Sequence, residues 1–311
     1  MANANANPKN ENINTDTKPK DKVYFDKGKI LYLWPGLLDI KRKARKISKK
    51  NQKDPNTYSE EYRYLWAKKA VGRLIKAMNI DIKVEGIENW LDRGVILAPN
   101  HESNFDPALL IAINDFDLQQ PLAFIAKKEL WTDKKMKHFM NIIDTIPLDR
   151  QSPRSALEAF QEGKDLVVDY KRSLVIFPEG TRSGADKVNK FQPASMKVAQ
   201  MANAPIVPVT IIGSHMIFDP NRPKIVKVKV IFGKPIMPQK HISLSTDKLT
   251  ANVQHEVEAN MAKWKDKEPT YSLKFLKKTP KEKKKIEAKK AAKANPKTKK
   301  KSVKDLFKVI D

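Results

Sequence analysis

No cysteine occurs anywhere in the 311 residues. That excludes a disulfide framework, Cys-ligated zinc or iron–sulfur sites, and a thiol nucleophile. Long apolar runs are missing too: none reaches the roughly 18 residues that a membrane-crossing helix needs. The first twenty residues, MANANANPKNENINTDTKPK, are polar throughout and hold no signal-peptide core, so the chain is expected to be made and kept in the cytoplasm. No Walker A loop, no GxGxxG and no internal repeat is present, which leaves nucleotide-fold readings without an anchor. Acidic residues are in short supply: 36 against 61 basic ones, a formal net charge of +25. A surface that basic seeks phosphate, whether on lipid, nucleic acid or a small substrate.

What is there divides into a core and two tails. Residues 1–22 are rich in Asn, Ala, Lys and Pro and cannot bury enough surface to offset ordering entropy. Residues 274–311 hold sixteen lysines against four acids, nearly half of the whole excess charge, and end in SVKDLFKVID, a candidate short interfacial or docking helix. Between the tails, 28–78 reads as helical and basic. GKILYLWPGLLDI is a short apolar patch interrupted by Pro35. Tyr64, Ala67, Val71, Leu74, Ile75 and Met78 then recur at helical spacing, with Arg63, Lys69, Arg73 and Lys76 on the other side. Periodicity alone leaves two readings open: a helix lying in a membrane interface, or one packed on the protein's own core.

From residue 80 short apolar runs alternate with amphipathic stretches. Strands are predicted at 82–87, 95–99, 122–127, 145–149, 173–177, 206–212 and 226–232, and helices at 107–113, 131–141, 153–168, 191–203 and 246–263. That alternation argues for an α/β fold with a mixed, largely parallel sheet flanked by helices. In such sheets the reacting groups sit in loops after strand C-terminal ends.

Two motifs occupy such loops. Asn100-His101-Glu102-Ser103-Asn104-Phe105-Asp106 follows the run VILAP. A carboxylate at Asp106 can reach back to one imidazole nitrogen of His101 and leave the other as a proton acceptor near neutral pH. With no protein nucleophile beside the pair, the attacking group would be a hydroxyl of the substrate. Asp106 before Pro107 also reads as a plain helix cap. The second motif, Phe177-Pro178-Glu179-Gly180-Thr181-Arg182-Ser183, leaves the run SLVIF. Gly180 permits close backbone approach, Arg182 offers a fork for phosphate, and Thr181 and Ser183 supply hydroxyls. A tight turn with a salt-bridged arginine is the alternative.

Together, NHESNFD and FPEGTRS, about 75 residues apart, resemble the two boxes of the 1-acylglycerol-3-phosphate acyltransferase family, within the glycerolipid acyltransferases. The resemblance covers roughly residues 60–235. FIAKKEL (124–130), TIPLDR (145–150) and APIVPVTIIG (204–213) are similar to further family segments. One place departs from it: Lys190-Phe191-Gln192-Pro193-Ala194 puts a proline near an expected glycine.

The resemblance implies acyl transfer from a thioester, acyl-CoA or an acyl carrier protein, to the sn-2 hydroxyl of 1-acylglycerol-3-phosphate. His101 is then the general base and Asp106 its orienting partner. Lys127, Arg150 and Arg182 hold the acceptor phosphate. Gly180 and Thr181 line the acceptor site, and Glu179 meets a glycerol hydroxyl or braces a basic residue. No cofactor and no metal are implied beyond the acyl donor as co-substrate. His138, His215, His241 and His255 are scattered and read as structural. The implied organisation is a disordered tail (1–22), an N-terminal helical membrane-docking region (23–79), an α/β acyltransferase domain (80–265) and a lysine-rich tail (266–311). The expected partners are a lysophospholipid, the acyl thioester, an anionic membrane surface and, among donors, an acyl carrier protein. The expected location is peripheral or monotopic on the cytoplasmic face of the cell membrane. Transfer to another lysolipid, a non-catalytic membrane protein, and nucleic-acid binding through the lysine tail are the competing readings; with little aromatic interleaving, no specific nucleic acid is expected.

Overall fold

A computed structural model describes residues 27–114, 121–133 and 136–273. The 1–22 tail, residues 274–311 and the SVKDLFKVID segment lie outside the described residues.

Two helices open the described residues, α1 (Lys27–Lys53) and α2 (Glu60–Ala77). Pro35 lies inside α1 rather than interrupting it. The carbonyl that a residue-35 N–H would serve belongs to Leu31, which is largely exposed, so water can take the place of the lost bond. Ser59 caps α2 by accepting the Tyr62 N–H.

Among the described residues eight strands then form one sheet: β1 (Ile80–Glu85), β2 (Ile96–Pro99), β3 (Leu122–Lys127), β4 (Ile146–Leu148), β5 (Ser173–Val175), β6 (Ile206–Ile212), β7 (Val226–Phe232) and β8 (Tyr271–Ser272). Their order is β4-β3-β5-β2-β6-β7-β1-β8. The run from β4 to β6 is parallel throughout, as is β7 with β1, while β6/β7 and β1/β8 are antiparallel. All four residues of β2 and all seven of β6 are buried, which is why these strands read as unbroken apolar runs. The last strand lies beyond the 265 boundary expected for the domain. Backbone pairing of Lys83 with Ser272 and Val84 with Tyr271 draws this segment onto the sheet edge.

The remaining helices are α3 (Asp106–Ile113), α4 (Lys137–Met140), α5 (Pro153–Val168), α6 (Lys197–Met201) and α7 (Thr246–Trp264). The expected helix 131–141 is a single α-turn preceded by a 3-10 turn, Lys128–Trp131; the Trp131 indole N–H donates to Asn141 Oδ1 and fastens the two turns together. The expected helix 191–203 starts as a 3-10 turn, Pro193–Met196, before α6. Proline fits at the first position of that turn because its missing N–H would find no partner there.

The sheet separates two apolar layers. On one face Val84, Leu97, Val175, Val209 and Val230 pack with α2 and α3 residues such as Tyr64, Val71 and Leu109. On the other, Ile96, Ala98, Leu174 and Ile206 pack with Ala159, Val198 and Val253 of α5, α6 and α7. Neighbouring residues Ile96 and Leu97 point to opposite layers, as strand alternation requires. The face of α2 expected from periodicity, Tyr64, Ala67, Val71 and Ile75, is therefore turned to the protein's own core.

An ion network fixes α2 to the sheet. Arg63 donates to both Asp144 oxygens, at 2.5 and 2.9 Å, and to the Ile142 carbonyl. Arg172 reaches Asp144 at 3.2 Å, the Leu122 carbonyl at 3.0 Å and Glu60 at 3.4 Å.

Candidate active site

Because β2 to β6 run the same way, the segments that leave them converge at one edge. The loop after β2 carries His101, the loop after β5 carries the second motif, β3 ends at Lys127, and Arg150 follows β4. Asn100 makes the exit from β2 rigid. Buried completely, its side chain donates to the Ile211 carbonyl at 2.9 Å and accepts the Ile211 N–H at 2.7 Å, mimicking one more residue of strand pairing.

His101 Nδ1 lies 2.8 Å from Asp106 Oδ2. Asp106 is fully buried, and its carboxylate is surrounded by donors: the N–H groups of Glu102 and Ser103, each at 2.8 Å, and the Ser214 hydroxyl at 2.5 Å. With Oδ2 already accepting two N–H groups, its contact with the imidazole assigns the proton to Nδ1, which leaves Nε2 as the acceptor nitrogen. The plain helix-cap reading fails on this geometry: the carboxylate accepts from residues before α3, and no side chain caps that helix.

The second motif grips the first by its backbone. Glu179 Oε1 accepts the His101 N–H at 2.6 Å, and the His101 carbonyl accepts the Ser183 N–H at 2.8 Å. Glu179 Oε2 accepts the Asn189 N–H at 2.9 Å. Both Glu179 oxygens thus rest on backbone amides. Burial raises its proton affinity, and the two amides work against that. The Phe177 ring packs against the imidazole with centroids 4.1 Å apart.

Gly180 sits at φ +69°, a conformation side chains resist, with the Arg150 guanidinium against it: a methyl group built there would lie 3.5 Å from Nη1. Arg150 is thereby brought to the second motif. Burial lowers its proton affinity somewhat, and Glu129 offsets this. Lys127 lies three residues beyond Phe124, which pairs with Val175 just before the second motif, so it shares the same edge. Lys127, Arg150, Thr181 and Arg182 are all exposed. Where the motif's continuation departs from the family pattern, the Gln192 N–H donates to the Pro178 carbonyl and the Phe191 N–H to Gln254, so the proline is accommodated without loosening the loop.

Residues 81–212 match the family model "Acyltransferase". A probable 1-acyl-sn-glycerol-3-phosphate acyltransferase of Mycoplasma pneumoniae is 31% identical over 229 residues, which span 70% of this chain and 85% of that one. The chain belongs to the 1-acyl-sn-glycerol-3-phosphate acyltransferase family. A probable enzyme of the same name from Mycoplasma genitalium is 29% identical over 219 residues, 67% of this chain and 81% of that one. The crystal structure of the 1-acyl-sn-glycerophosphate acyltransferase PlsC from Thermotoga maritima superposes with a TM-score of 0.55 at 26% identity, covering 68% of this chain and 83% of that one.

In this acyltransferase the fold also gathers groups that the sequence kept apart. Glu102, given no role in the sequence reading of the first motif, is buried and accepts from the Ser214 N–H at 2.8 Å and from His215 Nδ1 at 3.3 Å. His215 lies 3.3 Å from Asp186 as well. Far apart in sequence, Glu102, Asp186 and His215 bring polar atoms within 4.8 Å of one another. Ser214 and His215 follow β6 by more than a hundred residues from the first motif, and only the GSH step after an apolar strand signals them.

Burial pushes the Glu102 carboxyl from the ordinary 4.5 up to about 7, and the Glu102 hydrogen bond raises the proton affinity of His215. Between pH 4.5 and 7 the folded state then keeps a proton on Glu102 that the unfolded chain releases, so stability falls as pH rises through that window. His215 acts in the same sense, its contribution being complete below its unfolded value and lost as pH rises through the raised folded one. Glu102→Gln is expected to flatten this dependence. Thermal midpoints measured from pH 4.5 to 7.5 check it, and an unchanged slope would refute the assignment.

Proposed function

We propose that this acyltransferase transfers an acyl group from a thioester to the sn-2 hydroxyl of 1-acylglycerol-3-phosphate, giving phosphatidate. The observation that carries the reading is the His101–Asp106 pair, held at a strand end by both motifs. His101 Nε2 takes the hydroxyl proton as the oxygen attacks the thioester carbonyl. The tetrahedral oxyanion collapses, the C–S bond breaks, and the imidazolium returns its proton to the leaving thiolate. No covalent enzyme intermediate, metal or further cofactor enters these steps. Lys127, Arg150 and Arg182, exposed cations at one edge, are suited to the acceptor phosphate. The names of the relatives support the acceptor.

A lipid acceptor requires contact with a bilayer. Among the described residues no helix is long and apolar enough to cross a membrane. On α1, Leu31 is 77% exposed and Tyr32 84%, with Trp34 and Leu38 also exposed, and Lys41, Arg42, Lys43 and Lys46 following. Exposed aromatics and aliphatics beside a basic run suit an interface with anionic lipid on the cytoplasmic face. Replacing Leu31, Trp34 and Leu38 together by serine is expected to weaken binding to anionic vesicles at least ~10-fold, since each apolar side chain removed from water contributes about 1.5–3 kcal/mol. Cosedimentation with vesicles checks this. Removing residues 274–311 should weaken binding further at low salt and leave transfer in detergent intact.

The reaction itself is tested by assaying the protein with 1-acylglycerol-3-phosphate and a panel of other lysolipids, using acyl-CoA and acyl carrier protein donors in parallel. Preference for 1-acylglycerol-3-phosphate supports the proposal. A folded protein active only on another lysolipid overturns the acceptor assignment.

A further inference from the structure

Behind the His101–Asp106 pair lies a second histidine–carboxylate pair, and one serine, Ser214, touches both. Ser214 is fully buried, and its Oγ lies 2.5 Å from Asp106 Oδ1 and 3.3 Å from Glu102 Oε2. Both carboxylates are buried, and the hydroxyl has a single proton to offer. The closer contact assigns that proton to Asp106. Glu102 Oε2 is served instead by the Ser214 N–H and by His215 through its backbone N–H and Nδ1. Asp186, fixed by the Gly213 N–H at 3.1 Å, contacts His215 from the surface side. A path of hydrogen bonds therefore runs from His215 through Glu102 to the Ser214 backbone N–H, and from the Ser214 hydroxyl through Asp106 to His101.

We propose that Ser214, backed by the Glu102–His215 pair, is a positioning residue of the His101–Asp106 dyad: its hydroxyl anchors the second Asp106 oxygen and sets how strongly that carboxylate supports the base. The inference rests on reading His101 as the base. A donor on Oδ1 does two things. It locks the carboxylate plane so that Oδ2 faces His101, and it draws negative charge away from Oδ2. Remove it, and Oδ1 of the buried Asp106 loses its donor, so more of the carboxylate's negative charge falls on Oδ2 beside His101. The imidazolium form of His101 then answers the excess negative charge, and the base is blocked by a proton at pH values where it was free. The ionisable groups around this hydroxyl are Glu102, Asp106 and His101 from the first motif, Glu179 and Asp186 from the second motif and the loop after it, and His215 and Asp219 from the turn after β6.

The test compares the full-length protein with Ser214→Ala, following kcat and KM against pH together with the ring resonances of His101 in an NMR titration. Ser214→Ala is expected to move the acidic limb of kcat upward by about one pH unit, the size of one charge-assisted hydrogen bond. Several-fold loss at pH 6.5 should shrink to about twofold or less near pH 9, with KM for the acceptor unchanged and the His101 resonances moving the same way. Ser214→Thr, which keeps the hydroxyl, should retain the wild-type limb. A loss in Ser214→Ala that is equal at every pH, with a lowered melting temperature and an unmoved limb, would make Ser214 a packing residue and overturn the proposal. The NMR arm reads the dyad without turnover. If His101→Ala remains active, the base assignment falls, while the resonances still report whether Ser214 acts on His101. Should the alanine variant not fold, Ser214→Cys, of similar shape and weaker as a donor, carries the same comparison.

Discussion

Replacing His101 by alanine is expected to lower kcat for acyl transfer at least ~100-fold, within the ~10²–10⁴-fold range that a positioned general base supplies. The acceptor KM should change little, because the exposed cations suited to the phosphate stay in place. Asp106→Asn should be comparably damaging. Every contact around this carboxylate is a donor: two backbone N–H groups, the Ser214 hydroxyl and His101 Nδ1. An amide would remove the charge that supports the imidazolium, and its NH2 would either face the N–H groups on Oδ2 or force the Ser214 hydroxyl to turn and accept. Steady-state kinetics on both variants, with melting curves to confirm folding, decide the matter. A folded His101→Ala variant retaining more than a tenth of wild-type kcat would remove the base from the mechanism.

The second large effect is on stability. Asp144 is the shared partner of Arg63 and Arg172, whose side chains are 9% and 4% exposed. Asp144→Ala takes the carboxylate from the buried Arg63 guanidinium and leaves the buried Arg172 with Glu60, and breaking a buried pair in this way costs about 3–5 kcal/mol. About 3 kcal/mol is expected here, since Asp144 keeps a third of its side chain in water. For a domain of this size that corresponds to a fall in melting temperature on the order of 6–12 °C. Asp144 also lies at φ 47°, which asparagine tolerates better than alanine. Asp144→Asn therefore isolates the charge, and should lose most of the same stability. If both variants melt within 2 °C of wild type (under about 1 kcal/mol), the network is not what holds α2 on the sheet.

Much of the architecture was legible from local pattern. Strands such as 206–212 and 226–232 are runs of β-branched residues bounded by turns, and their type is decided by neighbours in sequence. His101 and Asp106 were legible as a pair because five residues of chain already restrict how far apart they can lie. The helix at 131–141 and the start of 191–203 were misjudged where side-chain bonds or a proline broke an amphipathic pattern into short turns. Periodicity also left the role of α2 open between membrane and core. Its buried face shows the core reading, since the face it offered was already matched by the sheet.

By itself the sequence determined the fold class, the placing of two motifs after parallel strands, and the basic character that favours phosphate. Tertiary structure alone decided what each motif residue touches. Glu179 holds the His101 backbone, Arg150 lies against Gly180, and Ser214 and Glu102 stand behind Asp106. The reason is physical: strand propensity and loop chemistry are local, whereas these contacts join residues from about 30 to more than 100 positions apart. They meet because five parallel strands end at one edge of the sheet, which no stretch of sequence records.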